Sequence, residues 1–276
     1  MTRAPDTRIR NVNIPGTNVV VPRLIFGTAS LFNAGPRKKR LALLSAAVEA
    51  GLSHFDTAPY YGFGWAERDL GALRAAGTKF TVTTKVGIYS PGGEDSWQST
   101  VFLRKAAGRA FPSISRPTVD FQLKRAMVAL EASLSRLRTD HIEIYLLHEP
   151  DVACVRSEEW QRWLECEVSR GRIGSFGLAS TASKLVPFLD SADRLSHLVQ
   201  VLDSLDGEEA DVLLKYERPL QITYGYVSSA LSINPARSVD EILRGALRRN
   251  TTGAIIVSTK KKERIRQYAE ILEKVI

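Results

Sequence analysis

Polar and apolar positions change rhythm once along this chain. Residues 8–21 alternate: Arg8, Arg10, Val12 and Ile14 lead into Pro15-Gly16-Thr17-Asn18 and then Val19, Val20 and Val21, the pattern of two short strands joined by a turn. From residue 24 onward, short apolar runs ending in polar residues take turns with amphipathic stretches of about 10 to 16 residues, as in βαβ units around a parallel sheet. The runs predict eight strands, at 24–27, 54–56, 81–85, 142–148, 174–178, 198–202, 220–224 and 253–257. Helices are expected to begin near Arg37, Glu67, Phe121, Glu158, Thr181, Gly207 and Val239, with a last one over 262–275. Within 121–137, Ala126, Ala129, Leu130, Leu134 and Leu137 recur at three and four, one apolar stripe to lay against a sheet.

Eight such pairs can close into a barrel or open into a doubly wound sheet. The open fold usually binds its nucleotide on a glycine-rich loop after the first strand, and Gly27-Thr28-Ala29-Ser30 fits neither GxGxxG nor a Walker loop. A (β/α)8 barrel uses about 250 residues as one unit, and the chain has 276. The expectation is therefore a single α/β domain over 1–276, a (β/α)8 TIM barrel whose N-terminal β-hairpin can plug its bottom. One connection is anomalous. Residues 87–120 separate the third strand from its helix and contain Trp97, Phe102, Arg104, Lys105, Arg109 and Phe111. On the C-terminal face, so long a β3–α3 loop would overhang the site as a lid or substrate wall.

Composition narrows the class. With 44% hydrophobic and 25% charged residues and no low-complexity stretch, the chain reads as a folded domain. The net charge of +8 comes from basic residues scattered among acidic ones, without a recognition motif, which argues against nucleic acid. Cys154 and Cys166 have neither metal-ligand nor redox spacing, so reduced thiols are expected. No segment approaches the roughly 18 apolar residues of a membrane span, and the N-terminus lacks an apolar core; a cytoplasmic protein is expected. The histidines, His54, His141, His148 and His197, are not in ligand spacing, which weakens a metal-dependent hydrolase or aldolase; no metal is expected.

Polar residues end three predicted strands: Asp56 the second, Lys85 the third and His148 the fourth, while Tyr61 comes five residues after Asp56. All strand ends of a barrel face one rim, so these four groups converge there. Asp56 would pair with Lys85 and orient it. The ammonium would stabilise the Tyr61 phenolate and bring its pKa down from about 10. Such a set suits carbonyl reduction: Tyr61 delivers a proton while His148 donates a hydrogen bond to the oxygen, and the same groups run the reverse oxidation. No side chain donates hydride, so a nicotinamide or flavin is required.

The stretch Gly51-Leu52-Ser53-His54-Phe55-Asp56-Thr57-Ala58-Pro59-Tyr60-Tyr61-Gly62, with Glu67 and Leu70-Gly71 after it, resembles the signature of the aldo-keto reductase superfamily. Thr84-Lys85-Val86-Gly87 is similar to its catalytic lysine segment, and Tyr145-Leu146-Leu147-His148-Glu149-Pro150 to its catalytic histidine segment. The long loop, Asp120-Phe121 and Ala132-Ser133-Leu134-Ser135-Arg136-Leu137 resemble the branch that includes aldose and galactose 1-dehydrogenases.

The resemblance implies NADP(H), with NAD(H) as the alternative, held at the strand ends, and a small carbonyl or sugar substrate. By the same likeness, Gly27 and Thr28 belong to the cofactor site and Gln200 bonds the carboxamide. Relatives usually place Ser-Asn where this chain has Ala179-Ser180, so one carboxamide contact is missing or comes from Ser180. Tyr224 or Tyr226 stacks on the nicotinamide; Tyr224 fits better, because Gly225 and Val227 then occupy the small and apolar sites after it. Ser258, Thr259, Lys260 and Arg264 resemble the pocket for the adenosine 2′-phosphate, which two fixed positive charges favour over a bare hydroxyl. A second reading, a non-catalytic NADP(H)-binding regulatory subunit of the same fold, has no chemical need for all four rim groups.

Overall fold

The computed structural model of the chain describes residues 11–91, 93–94 and 116–275. Strands β1 (Asn11–Asn13) and β2 (Val20–Pro22) pair antiparallel with Val12 opposite Val21. Their turn closes through Ile14 N donating to Val19 O at 2.9 Å and Thr17 N to Ile14 O at 3.0 Å. Residues 8–10 of the expected first strand lie outside the described residues.

Next come β3 (Leu24–Gly27), α1 (Arg37–Glu49), β4 (His54–Asp56), α2 (Trp65–Ala75), β5 (Thr81–Val86), β6 (Ile88–Tyr89), β7 (Thr118–Val119) and α3 (Leu123–Leu137). The second half carries β8 (Ile142–His148), α4 (Ser157–Ser169), β9 (Ile173–Ser180), α5 (Ala182–Asp190), β10 (Val199–Leu202) and α6 (Asp211–Leu214). It ends with β11 (Ile222–Tyr224), α7 (Tyr226–Ile233), α8 (Val239–Arg249), β12 (Ala254–Val257) and α9 (Lys262–Val275). Strands β3, β4, β5, β8, β9, β10, β11 and β12 pair in parallel in that order, and β12 returns to β3, so the barrel is closed. The expected (β/α)8 architecture is present, strand for strand.

Two apolar layers hold it. Inside the barrel, Ile25, Ile144, Leu146, Leu198 and Ile222 pack together, and Ile14 and Val21 of the hairpin complete the cluster. Gln221, just before β11, donates from Nε2 to the carbonyl of Pro15 at 2.7 Å. The hairpin thus plugs the N-terminal end and leaves the C-terminal end for chemistry. Outside, the helices bury their apolar faces on the barrel wall; all five stripe residues of α3 are buried. Glu67 of α2 accepts from the Thr84 hydroxyl and from Arg136 Nε, each at 2.7 Å, tying the strand that carries Lys85 to two helices. Gly71 allows the close approach of α2 and α3, since a Cβ there would collide with the Arg136 carbonyl.

Three differences from expectation have local causes. The helix expected at Gly207 is a single turn beginning at Asp211, because Ser204 Oγ takes the Gly207 N–H at 2.8 Å and Asp203 Oδ1 takes that of Ala210 at 3.0 Å. An additional helix, α7, comes after β11; Gly225 enters it at φ 107°, where a Cβ would also meet Leu202. At the base of the long 87–120 connection, β6 and β7 pair antiparallel and Asp120 N donates to Gly87 O at 2.9 Å. Trp97, Phe102, Arg104, Lys105, Arg109 and Phe111 lie outside the described residues.

Candidate active site

Asp56 and His148 are the last residues of β4 and β8, and Lys85 stands next to last in β5. Lys85 Nζ donates to Asp56 Oδ2 at 2.6 Å and to the Thr57 carbonyl at 2.9 Å, with both charged side chains buried. The turn after β4 places Tyr61 above them: Tyr61 N donates to Ala58 O at 3.0 Å, and Gly62 and Phe63 take left-handed φ values of 61° and 56°. Lys85 Nζ lies 5.0 Å from the Tyr61 ring centroid, and the His148 ring meets Tyr61 edge-on at 6.0 Å.

These four side chains line one cavity of about 180 Å³, whose wall also contains Gly27, Gln200, Tyr224 and Ser258. The other expected cofactor residues lie outside that wall. Thr28 is buried and its hydroxyl donates to the Asp56 carbonyl at 3.0 Å. Ser180 is buried at the end of β9. Thr259 Oγ1 accepts from Lys261 N at 3.1 Å just ahead of α9. Lys260 is exposed and Arg264 half-buried in the first turn of α9; among the described residues neither makes an ion pair. Sequence reasoning missed Glu149 and Ser228, which also line the cavity. Adjacency to His148 was the only signal for Glu149.

Burial pushes the Asp56 carboxyl up and the Lys85 ammonium down, and their mutual attraction opposes both shifts. His148 is pushed down to about 3 by burial, with Lys85 and Lys184 adding to it, so its imidazole is neutral. Tyr61 corrects an expectation. Its phenol lies well above the ordinary value because of burial and then the charges of Asp56 and Glu149. Burial outweighs any lowering by the Lys85 ammonium, which meets the ring face and directs its hydrogen bonds to Asp56 and Thr57.

The two tyrosines after β10 separate cleanly. Tyr226 is buried, and its hydroxyl donates to Asp203 Oδ2 at 2.5 Å, a carboxylate also held by Arg249 Nε at 2.6 Å. Tyr224 is half-buried in the cavity wall. Two buried oxygens near this end, Gln200 Oε1 and Ser180 Oγ, have no hydrogen-bond partner among the described residues. Leaving such a group unpaired costs about 1–3 kcal/mol, and a primary carboxamide offers both the donor and the acceptor they lack. With the flat ring of Tyr224 beside them, these residues fit a nicotinamide. Among the described residues, no group of three or more His, Cys, Asp or Glu is placed to hold a metal ion, and no helix is long and apolar enough to cross a membrane.

The chain belongs to the aldo/keto reductase family, whose profile matches residues 23–199. It is 31% identical over 145 residues to D-threo-aldose 1-dehydrogenase of a Pseudomonas species, covering 48% of this chain and 41% of that protein. It is 29% identical over 143 residues to 6-dehydroglucose reductase of Agrobacterium fabrum, covering 50% and 42%. The chain thus spans less than half the length of these two relatives. Among solved structures, glycerol dehydrogenase of Gluconobacter oxydans superposes with a TM-score of 0.72 at 18% identity, over 95% of this chain and 90% of that one, a likeness of fold. The names of these two relatives agree with the likeness to the aldose dehydrogenase branch.

Proposed function

We propose that this chain, working as one barrel in the cytoplasm, passes hydride between NADP(H) and a small aldehyde, ketone or aldose, with Tyr61 as general acid and base. The observation that carries the reading is the meeting of Asp56, Lys85, Tyr61 and His148 in one cavity at the C-terminal rim. Nicotinamide, when bound, supplies the hydride that no side chain can. Tyr61 keeps its proton at neutral pH and gives it to the carbonyl oxygen in reduction. As the proton leaves, negative charge grows on the phenol, and the Lys85 ammonium beside the ring stabilises it, held there by Asp56. Neutral His148 directs an N–H to the same oxygen; its buried Nδ1 has no partner among the described residues.

Gln200 and Ser180 would hold the carboxamide, and Tyr224 would stack on the ring, with Gly27 and Thr28 shaping that end. Ser258, Thr259, Lys260 and Arg264 would bind the 2′-phosphate. Two cations at the start of α9 oppose the helix dipole unless an anion joins them, which supports NADP(H) over NAD(H). Relatives named for an aldose and a dehydroglucose support a sugar among the substrates. The test is NADPH oxidation, with NADP+ reduction in parallel, across aldehydes, ketones and aldoses; no turnover with any of them overturns the reading.

A further inference from the structure

Two carboxylates line the cavity, and they are treated differently. Asp56 is buried against Lys85, whereas Glu149 is about one-quarter exposed and faces the rim, with Lys184 Nζ 3.2 Å from its Oε2. Glu149 holds φ at 54°, a left-handed conformation that costs a residue with a Cβ about 1–2 kcal/mol. Surrounding bonds maintain it: its N–H donates to Ala179 O at 2.7 Å, and Lys184 Nζ donates to its carbonyl at 3.3 Å. Lys184 in turn lies in the first turn of α5, where a cation opposes the helix dipole, so each residue compensates the other's unfavourable position.

A second carboxylate is a liability for carbonyl reduction, because negative charge grows on the oxygen near Tyr61. Its charge is felt at both tyrosines of the wall, Tyr61 and Tyr224. An acceptor-only group fixed at such a place gains from a substrate that brings hydroxyl donors. We propose that Glu149, positioned by Lys184, is a specificity-determining residue: its carboxylate accepts hydrogen bonds from a neutral, hydroxylated carbonyl substrate and repels substrates bearing a carboxylate or phosphate. This deepens the oxidoreductase reading and rests on it.

The experiment measures kcat/KM with NADPH for D-glyceraldehyde, propanal and succinic semialdehyde, which are hydroxylated, plain and anionic aldehydes. The wild-type protein should favour glyceraldehyde over propanal, and propanal over the anion, each by about tenfold. Glu149→Gln keeps side-chain size, and NADPH binding measured alongside reports that the fold is intact. In that variant the penalty on the anion should fall to within about threefold, while Lys184→Met should widen it. Ratios in Glu149→Gln equal to those of wild type overturn the inference alone. So does an equal loss for all three aldehydes with NADPH binding retained, which would make the role chemical. Absence of turnover in the wild-type protein overturns the oxidoreductase reading, and this inference with it.

Discussion

Lys85 meets the face of Tyr61, not its hydroxyl: Nζ stands 5.0 Å from the ring centroid while its hydrogen bonds go to Asp56 and the Thr57 carbonyl. In this arrangement the lysine acts through its field, and Asp56 decides where that field is. The phenol remains protonated and ready to donate.

Asp56→Asn should therefore impair turnover more than binding. Without its counter-charge, the buried ammonium of Lys85 loses its proton more readily, so the alkaline limb of the kcat profile should move to lower pH. At pH 7 kcat should fall at least about tenfold, with NADPH affinity little changed. Steady-state rates from pH 6 to 10 check this, and an unmoved alkaline limb contradicts it.

At the cofactor end, among the described residues only Gln200 both lines the cavity and carries a fully buried oxygen without a partner. Gln200→Ala should weaken NADPH binding by about tenfold, and Ser180→Ala by less, since Ser180 lies outside the wall. Fluorescence titration of each variant is the measurement. A larger loss at Ser180 would place the carboxamide differently.

Arg264→Ala should raise the Kd for NADPH by about tenfold or more and that for NADH by under about twofold, because only the former carries the 2′-phosphate. Equal losses in parallel titrations would remove Arg264 from the phosphate site.

The barrel wall stores a pH dependence unrelated to catalysis. His54 is fully buried between the hydroxyls of Thr81 and Thr83, each at 2.7 Å, and burial pushes its pKa down to about 3. The unfolded chain takes up this proton near pH 6.5, whereas the folded protein does not, so acidification favours unfolding from about pH 6.5 down to about 3. The slope is about 1.4 kcal/mol per pH unit below 6. Denaturant melts between pH 7 and 5 should show it, and His54→Gln should reduce the slope by about that amount.

All eight barrel strands were legible because each is a local apolar run, and Asp56, Lys85 and His148 because they close three of those runs. What was hidden depends on long-range partners. Tyr224 and Tyr226 look alike in sequence; Asp203 and Arg249, more than twenty residues away on either side, draw one of them out of the cavity. Tyr226–Ile233 carries two β-branched residues, three serines and no charges, and shows little helical pattern until Gly225 turns the chain. Glu149 reaches the cavity wall through a left-handed backbone that no neighbour in sequence announces. The direction of the Tyr61 shift depends first on how deeply the folded barrel buries the phenol, which local sequence does not reveal.

The central claim is that Tyr61 moves the proton, and Tyr61→Phe tests it most directly. Aldehyde reduction with NADPH and NADPH binding should be measured on the same preparation. The account predicts that kcat falls by about 10³ while the Kd for NADPH stays within about twofold; a variant whose kcat remains within tenfold of wild type would contradict it.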